Sequence, residues 1–171
     1  MVKNKIFLFG LDFAGKTSII NSLNKIKNPG DTKPTLRLST YNLIVHSIDF
    51  ILWDAPGQVA FRKHWDKGIY SARILCLIID ITTPERFDEL QKELNIVLEN
   101  EYAKNLPLII CFHKVDLIEA RKNLEEAKKV FNIEQFTDRK VTHIETSIFN
   151  PDSILELKNL FVQLVKDSLS S

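Results

Sequence analysis

The sequence predicts an α/β fold: a doubly wound, mostly parallel six-stranded sheet with about five helices. Three observations carry this. Strand-like and helix-like patterns alternate along the whole chain. Two continuous apolar runs, Arg73–Asp80 and Leu106–Phe112, have the character of strands covered on both faces. One pair of strand-like pieces between Thr40 and Asp54, turning near Ser47, supplies an antiparallel exception.

Taken in order, the first strand is Lys5–Phe9, and it runs straight into GLDFAGKTS. A helix follows, because Ile19, Ile20, Leu23 and Ile26 recur at helical spacing, and Asn28-Pro29-Gly30 ends it. Residues 31–37 are polar and irregular, an exposed loop. After the hairpin and WDAPGQ comes a weak helix over Val59–Tyr70, then the buried strand Arg73–Asp80. Thr83-Pro84 offers a cap with proline at the first helical position, and Phe87, Leu90, Leu94, Val97 and Leu98 share one face. The strand Leu106–Phe112, a charged helix over Ile118–Phe131 and a short strand over Val141–Thr146 follow. Asn150-Pro151 caps a last helix whose apolar stripe is Ile154, Leu157, Leu160, Phe161, Leu164 and Val165.

A length of 171 residues fits one domain, 1–171, with enough chain to bury a core. The formal net charge of +1 gives no global pull toward nucleic acid or a membrane surface. Cys76 and Cys111 lie inside apolar runs, as buried thiols of a reducing compartment do. There is no signal peptide or spanning segment, Val2 excludes N-myristoylation, and DSLSS carries no prenylation cysteine. A cytoplasmic protein without a direct membrane anchor is the expectation.

The strongest motif is Gly10–Thr17, a full G-x-x-x-x-G-K-T between a strand and a helix. Its backbone N–H groups, over Asp12, Ala14, Gly15 and Ser18, and the helix N-terminus suit phosphate oxygens. Lys16 reaches the β- and γ-phosphates, and Thr17 offers a hydroxyl to magnesium. In Trp53-Asp54-Ala55-Pro56-Gly57-Gln58, Asp54 ends a strand and can hold the magnesium shell. Gly57 can bring its N–H to the γ-phosphate, and Gln58 can orient an attacking water. In His113-Lys114-Val115-Asp116, the aspartate can accept the N1–H and amino protons of guanine, a donor pair adenine lacks, while the Lys114 stem packs on the base. Weaker is Glu145-Thr146-Ser147-Ile148, where the N–H groups of Ser147 and Ile148 could meet the guanine oxygen.

These elements, in this order, resemble the Ras-like small GTPases across essentially the whole chain. GLDFAGKTS is similar to Arf-like proteins, whereas HKVD, the proline in WDAPGQ and TSIFNPDSI resemble Rag (Gtr) GTPases. The resemblance implies GTP/GDP with Mg2+, slow hydrolysis to GDP and phosphate, and effector, exchange-factor and GTPase-activating partners. It also implies a magnesium-binding threonine after the first helix. Thr35 lies nineteen residues before Asp54, as in Arf-like proteins, with Thr32 and Thr40 as alternatives. Rag proteins pair through a second domain, so a dimer partner is possible, although this chain stops at Ser171. A non-hydrolysing scaffold or regulatory subunit is the alternative to turnover.

Two departures bear on chemistry. His113 stands where an asparagine usually braces the phosphate loop, which implies weaker nucleotide binding and a pH dependence between 5 and 8. Asp12 stands where many members have glycine, and no arginine is obviously placed to act in cis. Trp53 is expected in the core. Phe61 and Trp65 follow Gln58 and form either a partner surface or the packing beneath that segment. His46, His64 and His143 have no metal-ligand spacing.

Overall fold

The computed structural model describes residues 3–169. The readings that rest on Val2 and on the last two serines lie outside them. The strands are β1 (Asn4–Phe9), β2 (Ser39–Val45), β3 (Ile48–Asp54), β4 (Ile74–Asp80), β5 (Leu108–His113) and β6 (Val141–Thr146). They form one six-stranded sheet in the order β2-β3-β1-β4-β5-β6, with only β2 antiparallel to its neighbour. The helices are α1 (Lys16–Leu23), α2 (Val59–Arg62), α3 (Trp65–Ile69), α4 (Phe87–Glu99), α5 (Leu124–Val130) and α6 (Pro151–Leu169).

Period-two alternation of the inner strands divides the core into two layers. Phe7, Phe9, Leu75, Leu77, Leu108 and Ile110 pack with α3, α4 and α5. Ile6, Leu8, Cys76, Ile78, Ile109 and Cys111 pack with α1 and α6. Both cysteines are free and buried in this second layer. Fully burying one such side chain contributes about 1.5–3 kcal/mol. The aromatic wall Phe7–Phe9, stacked at 5.4 Å, receives Trp65 edge-on at 5.6 Å from Phe9.

Local geometry departs from the sequence expectations at four places. α1 ends at Leu23, not beyond Ile26, because Lys25 takes a left-handed φ of 57°; Ile26 is exposed. The weak helix over Val59–Tyr70 is two short helices, α2 and α3, which raises the helix count among the described residues to six. Thr83 does not cap through its side chain: Oγ1 bonds the Asp80 carbonyl, and Pro84 opens a 3-10 turn before α4. The charged segment Ile118–Phe131 begins as a 3-10 turn and becomes helical only at Leu124. The hairpin turn and the cap of the last helix match their expectations. His46 and Ser47 both take positive φ, the geometry of a two-residue hairpin turn. Asn150 Oδ1 accepts from Asp152 N at 3.1 Å and Ser153 N at 3.4 Å, capping α6.

The register aligns the carboxyl ends of the parallel strands. Leu8 pairs with Asp54, Asp80 with His113 and His113 with Thr146. This edge carries the site.

Candidate functional site

The phosphate loop joins β1 to α1 and is clamped on two sides. Gly15, at φ 97°, touches the His113 ring: a Cβ here would lie 2.6 Å from Cδ2. At Gly57 a Cβ would lie 2.3 Å from the Asp12 amide nitrogen, so this backbone sits directly on the loop. A narrow cleft of about 80 Å3 is lined by Asp12, Gly15, Lys16, Thr17, Ser18 and Thr35, with Phe13, Gly57 and Gln58 also at its walls. Ala14 is buried beneath it.

Lys16 Nζ donates to the carbonyls of Gly10 at 3.0 Å and Leu11 at 2.7 Å. Burial lowers its pKa to about 8; the Asp54 and Asp12 carboxylates oppose this, and the Arg62 and Arg86 guanidinium groups add to it.

Beside Lys16, three oxygens converge. Thr17 Oγ1 donates to Asp54 Oδ2 at 2.5 Å, Thr35 Oγ1 donates to the same oxygen at 3.1 Å, and the two hydroxyls lie 3.0 Å apart. Of the three candidate threonines, Thr35 is the one brought to Asp54. Thr32 lines the cleft, and Thr40 pairs in β2 opposite Trp53. Asp54 is fully buried, and its Oδ1 has no hydrogen-bond partner among the described residues. Burial raises the Asp54 pKa, opposed by the Thr17 bond, the Lys16 charge and the Thr35 bond.

The segment after Asp54 is anchored from below. Trp65 is buried and its Nε1 donates to the Pro56 carbonyl at 2.8 Å, so of the two alternatives Trp65 takes the packed one. Phe61 is half-buried. Trp53 is also half-buried, with Lys5 Nζ 3.6 Å above its ring.

On the base side, His113 is 2% exposed and its Nδ1 lies 2.9 Å from Thr146 Oγ1. Burial and the neighbouring Lys114 charge push its pKa down to about 4. This corrects the expectation of titration between pH 5 and 8: the ring stays neutral there. Lys114 Nζ donates to Asp80 Oδ2 at 2.5 Å and to the Phe13 carbonyl at 2.9 Å, tying the phosphate loop to β4. Asp116 is exposed and lines a separate open groove with Thr82, Pro84 and Leu117. The Ser147 amide donates to Ser153 Oγ at 3.1 Å, so its N–H is bound within its own loop rather than free for a ligand. Ile148 is half-buried against Gly30. Asp116, Ser147 and Ile148 are therefore not drawn into the phosphate cleft.

One group of residues was not legible in the motifs. Arg86 Nη2 bonds Asp12 Oδ1 at 2.9 Å, and Arg62 Nη2 lies 3.9 Å from the same oxygen. Two arginines thus stand by the phosphate loop, both held by carboxylates. The available signal was the helical spacing of Glu89 and Glu93, which both face Arg62.

A glycine-bearing loop between the central strand and α1, on a sheet of this order, is the P-loop GTPase fold. A solved structure of the Arl6 BBS3 small GTPase from Trypanosoma brucei, with a bound nucleotide analogue, superposes with a TM-score of 0.76 at 17% identity, covering 97% of this chain and 99% of that one. The ADP-ribosylation factor-like protein 1 of Saccharomyces cerevisiae is 26% identical over 163 residues, which are 95% of this chain and 88% of the relative. The ADP-ribosylation factor-like protein 3 of Caenorhabditis elegans is 31% identical over 136 residues, 79% of this chain and 73% of the relative. The sequence model of the ADP-ribosylation factor family matches residues 2–165, and the chain belongs to that family. The branch these comparisons show is Arf; the Rag resemblance of HKVD and TSIFNPDSI is not among what they show.

Proposed function

We propose that the chain is a guanine-nucleotide switch that binds GTP or GDP with Mg2+ and slowly hydrolyses GTP to GDP and phosphate. The observation that carries this reading is the convergence of Thr17, Thr35 and Asp54 beside Lys16, with Asp54 Oδ1 buried and unpartnered among the described residues. Two hydroxyls and a carboxylate are hard oxygen donors of the kind Mg2+ takes, and an orphaned carboxylate oxygen in a buried site is what a cation would satisfy. When bound, Mg2+ would neutralise charge on the phosphate oxygens.

The protein's own groups account for the rest. Lys16 leaves the Gly10 and Leu11 carbonyls for the phosphates, whose negative charge raises its pKa. Gly57 holds its amide at the loop, and Gln58 at the cleft wall orients the attacking water. Thr35, on a loop with no regular structure, reaches the site only through hydroxyl contacts, as a nucleotide-sensitive segment does. Asp116, His113 and Lys114 form the base side, and Asp116 selects guanine. Partners, as effector, exchange-factor and activating proteins, would recognise the segments bearing Thr35 and Gly57. The Rag-like HKVD sequence is a variation within this Arf-family frame.

The test is single-turnover hydrolysis of GTP with Mg2+ at neutral pH, comparing wild type with Gln58→Leu and using ATP as control. Slow turnover of GTP alone, lowered at least about tenfold in the variant, is expected. Tight binding without turnover in either protein would make the chain a non-hydrolysing scaffold. Turnover of ATP at a similar rate would remove Asp116 as the selector of guanine.

A further inference from the structure

The carboxylate of Asp12 presents an electrostatic problem. The residue lines the same cleft as Lys16, Thr17, Gly57 and Gln58. A negative side chain there has the same sign as a polyphosphate. The terminal phosphate would come nearest to Gly57 and Gln58, so an uncompensated Asp12 disfavours a triphosphate more than a diphosphate. Lys16 makes no ion pair with Asp12: its ammonium bonds the Gly10 and Leu11 carbonyls, and on the reading above it leaves them for the phosphates rather than for this carboxylate.

The compensation comes from outside the sequence motifs. Arg86, in the turn before α4, places Nη2 2.9 Å from Asp12 Oδ1. Its Nε donates to Glu89 Oε2 at 3.0 Å, which aims the guanidinium plane at the phosphate loop. The other oxygen of Glu89 accepts from Arg62 Nη2 at 2.7 Å, and Arg62 Nη1 donates to Glu93 at 2.9 Å. Arg62 also donates through Nε to the Gly57 carbonyl at 2.8 Å. Two planar, permanently charged groups thus form one connected chain from Asp12 to the backbone that faces the loop. Arg62 is almost fully buried, so this chain is built into the fold rather than laid on its surface.

We propose that Arg86 is a positioning residue that neutralises Asp12 and so lets the phosphate loop accept a nucleoside triphosphate as readily as a diphosphate. This rests on the nucleotide-binding reading above. Glu89 orients Arg86, and Arg62 carries the same network to Gly57. The discrimination acts on the terminal phosphate, so its signature is a ratio of affinities rather than their absolute level.

The experiment measures GTP and GDP dissociation constants with Mg2+ for wild type, Arg86→Gln, Arg86→Lys and the double variant Asp12→Asn/Arg86→Gln, at low and high salt. Arg86→Gln should weaken GTP relative to GDP by about tenfold at low salt and less at high salt, since Arg86 is partly exposed and screened. Arg86→Lys should retain most of the ratio. The double variant should return it to within about threefold of wild type, because the charge needing compensation is gone. If Arg86→Gln does not fold, Arg86→Met, which keeps the stem and removes the charge, carries the same comparison. Equal weakening of both nucleotides in the folded variants, or a ratio still depressed in the double variant, overturns the proposal. If wild type binds neither nucleotide, the nucleotide-binding reading itself fails, and this outcome is distinct from the others.

Discussion

At the scale of single residues, Lys16 and His113 are shifted by burial and titrate in different ranges. Lys16 has a pKa of about 8, and a bound phosphate would raise it. Below pH 7 the ammonium is already charged, so it adds no pH dependence to binding. Above pH 8 each binding event must take up a proton, and nucleotide affinity is expected to fall by up to about tenfold per pH unit. Titration calorimetry at pH 9 in buffers of different ionisation enthalpy should reveal that uptake, and its absence would remove Lys16 as the phosphate ligand. His113 behaves oppositely. Its folded pKa of about 4 lies below the ordinary 6.5, so the unfolded chain binds the extra proton between those values. The stability due to neutral His113 is present above about pH 6.5 and is lost as pH falls toward 4, an effect on the order of 3 kcal/mol. Urea unfolding at pH 7 and pH 4.5 should therefore show a steeper loss for wild type than for His113→Asn. Nucleotide affinity should not vary through His113 between pH 5 and 8.

At the scale of elements, the sequence foretold what depends on local pattern. Asn150-Pro151 predicts the start of α6, and Asn150 Oδ1 does accept from its first turn. Asn150→Ala should cost about 1 kcal/mol, read as a shift in the denaturation midpoint with unchanged slope. The β2–β3 hairpin was legible because only a two-residue turn fits between Val45 and Ile48. Features that depend on distant partners were not legible. α1 stops early because Lys25 adopts a left-handed backbone that its residue type does not announce. Thr83 turns to the Asp80 carbonyl instead of capping. Trp65 is fixed by a carbonyl nine residues earlier and by Phe9 on the first strand, and neither appears in a local window. The site divides in the same way. Lys16, Thr17, Asp54 and Gly57 belong to compact motifs and were found there. Thr35 was legible from its nineteen-residue spacing to Asp54, which it contacts, whereas the Asp12–Arg86 pair spans 74 positions and was not.

At the scale of the whole molecule, the phosphate loop is bound to β3, β4 and β5 through side chains. Lys114 reaches from β5 to Asp80 and Phe13, His113 packs on Gly15, and Thr17 bonds Asp54. A ligand engaging this loop stabilises the sheet that holds it. Addition of GTP and Mg2+ at about 100 times the dissociation constant should contribute about 2.7 kcal/mol, seen as a rise in melting temperature. Chelating the cation should remove part of that rise. A chain whose melting temperature is indifferent to both would have no folded-state site for them.

The position of β1 also has a consequence during synthesis. This strand sits inside the sheet, between β3 and β4, and its residues Ile6 to Phe9 are wholly buried on both faces. Yet β4 lies roughly 65 residues further along, so at ribosomal speed the strand waits about 3–13 s for its second neighbour. For that interval the nascent chain leaves an apolar tetrapeptide open to solvent. A strand that ends up fully sheltered thus spends its first seconds without one of the two neighbours that shelter it.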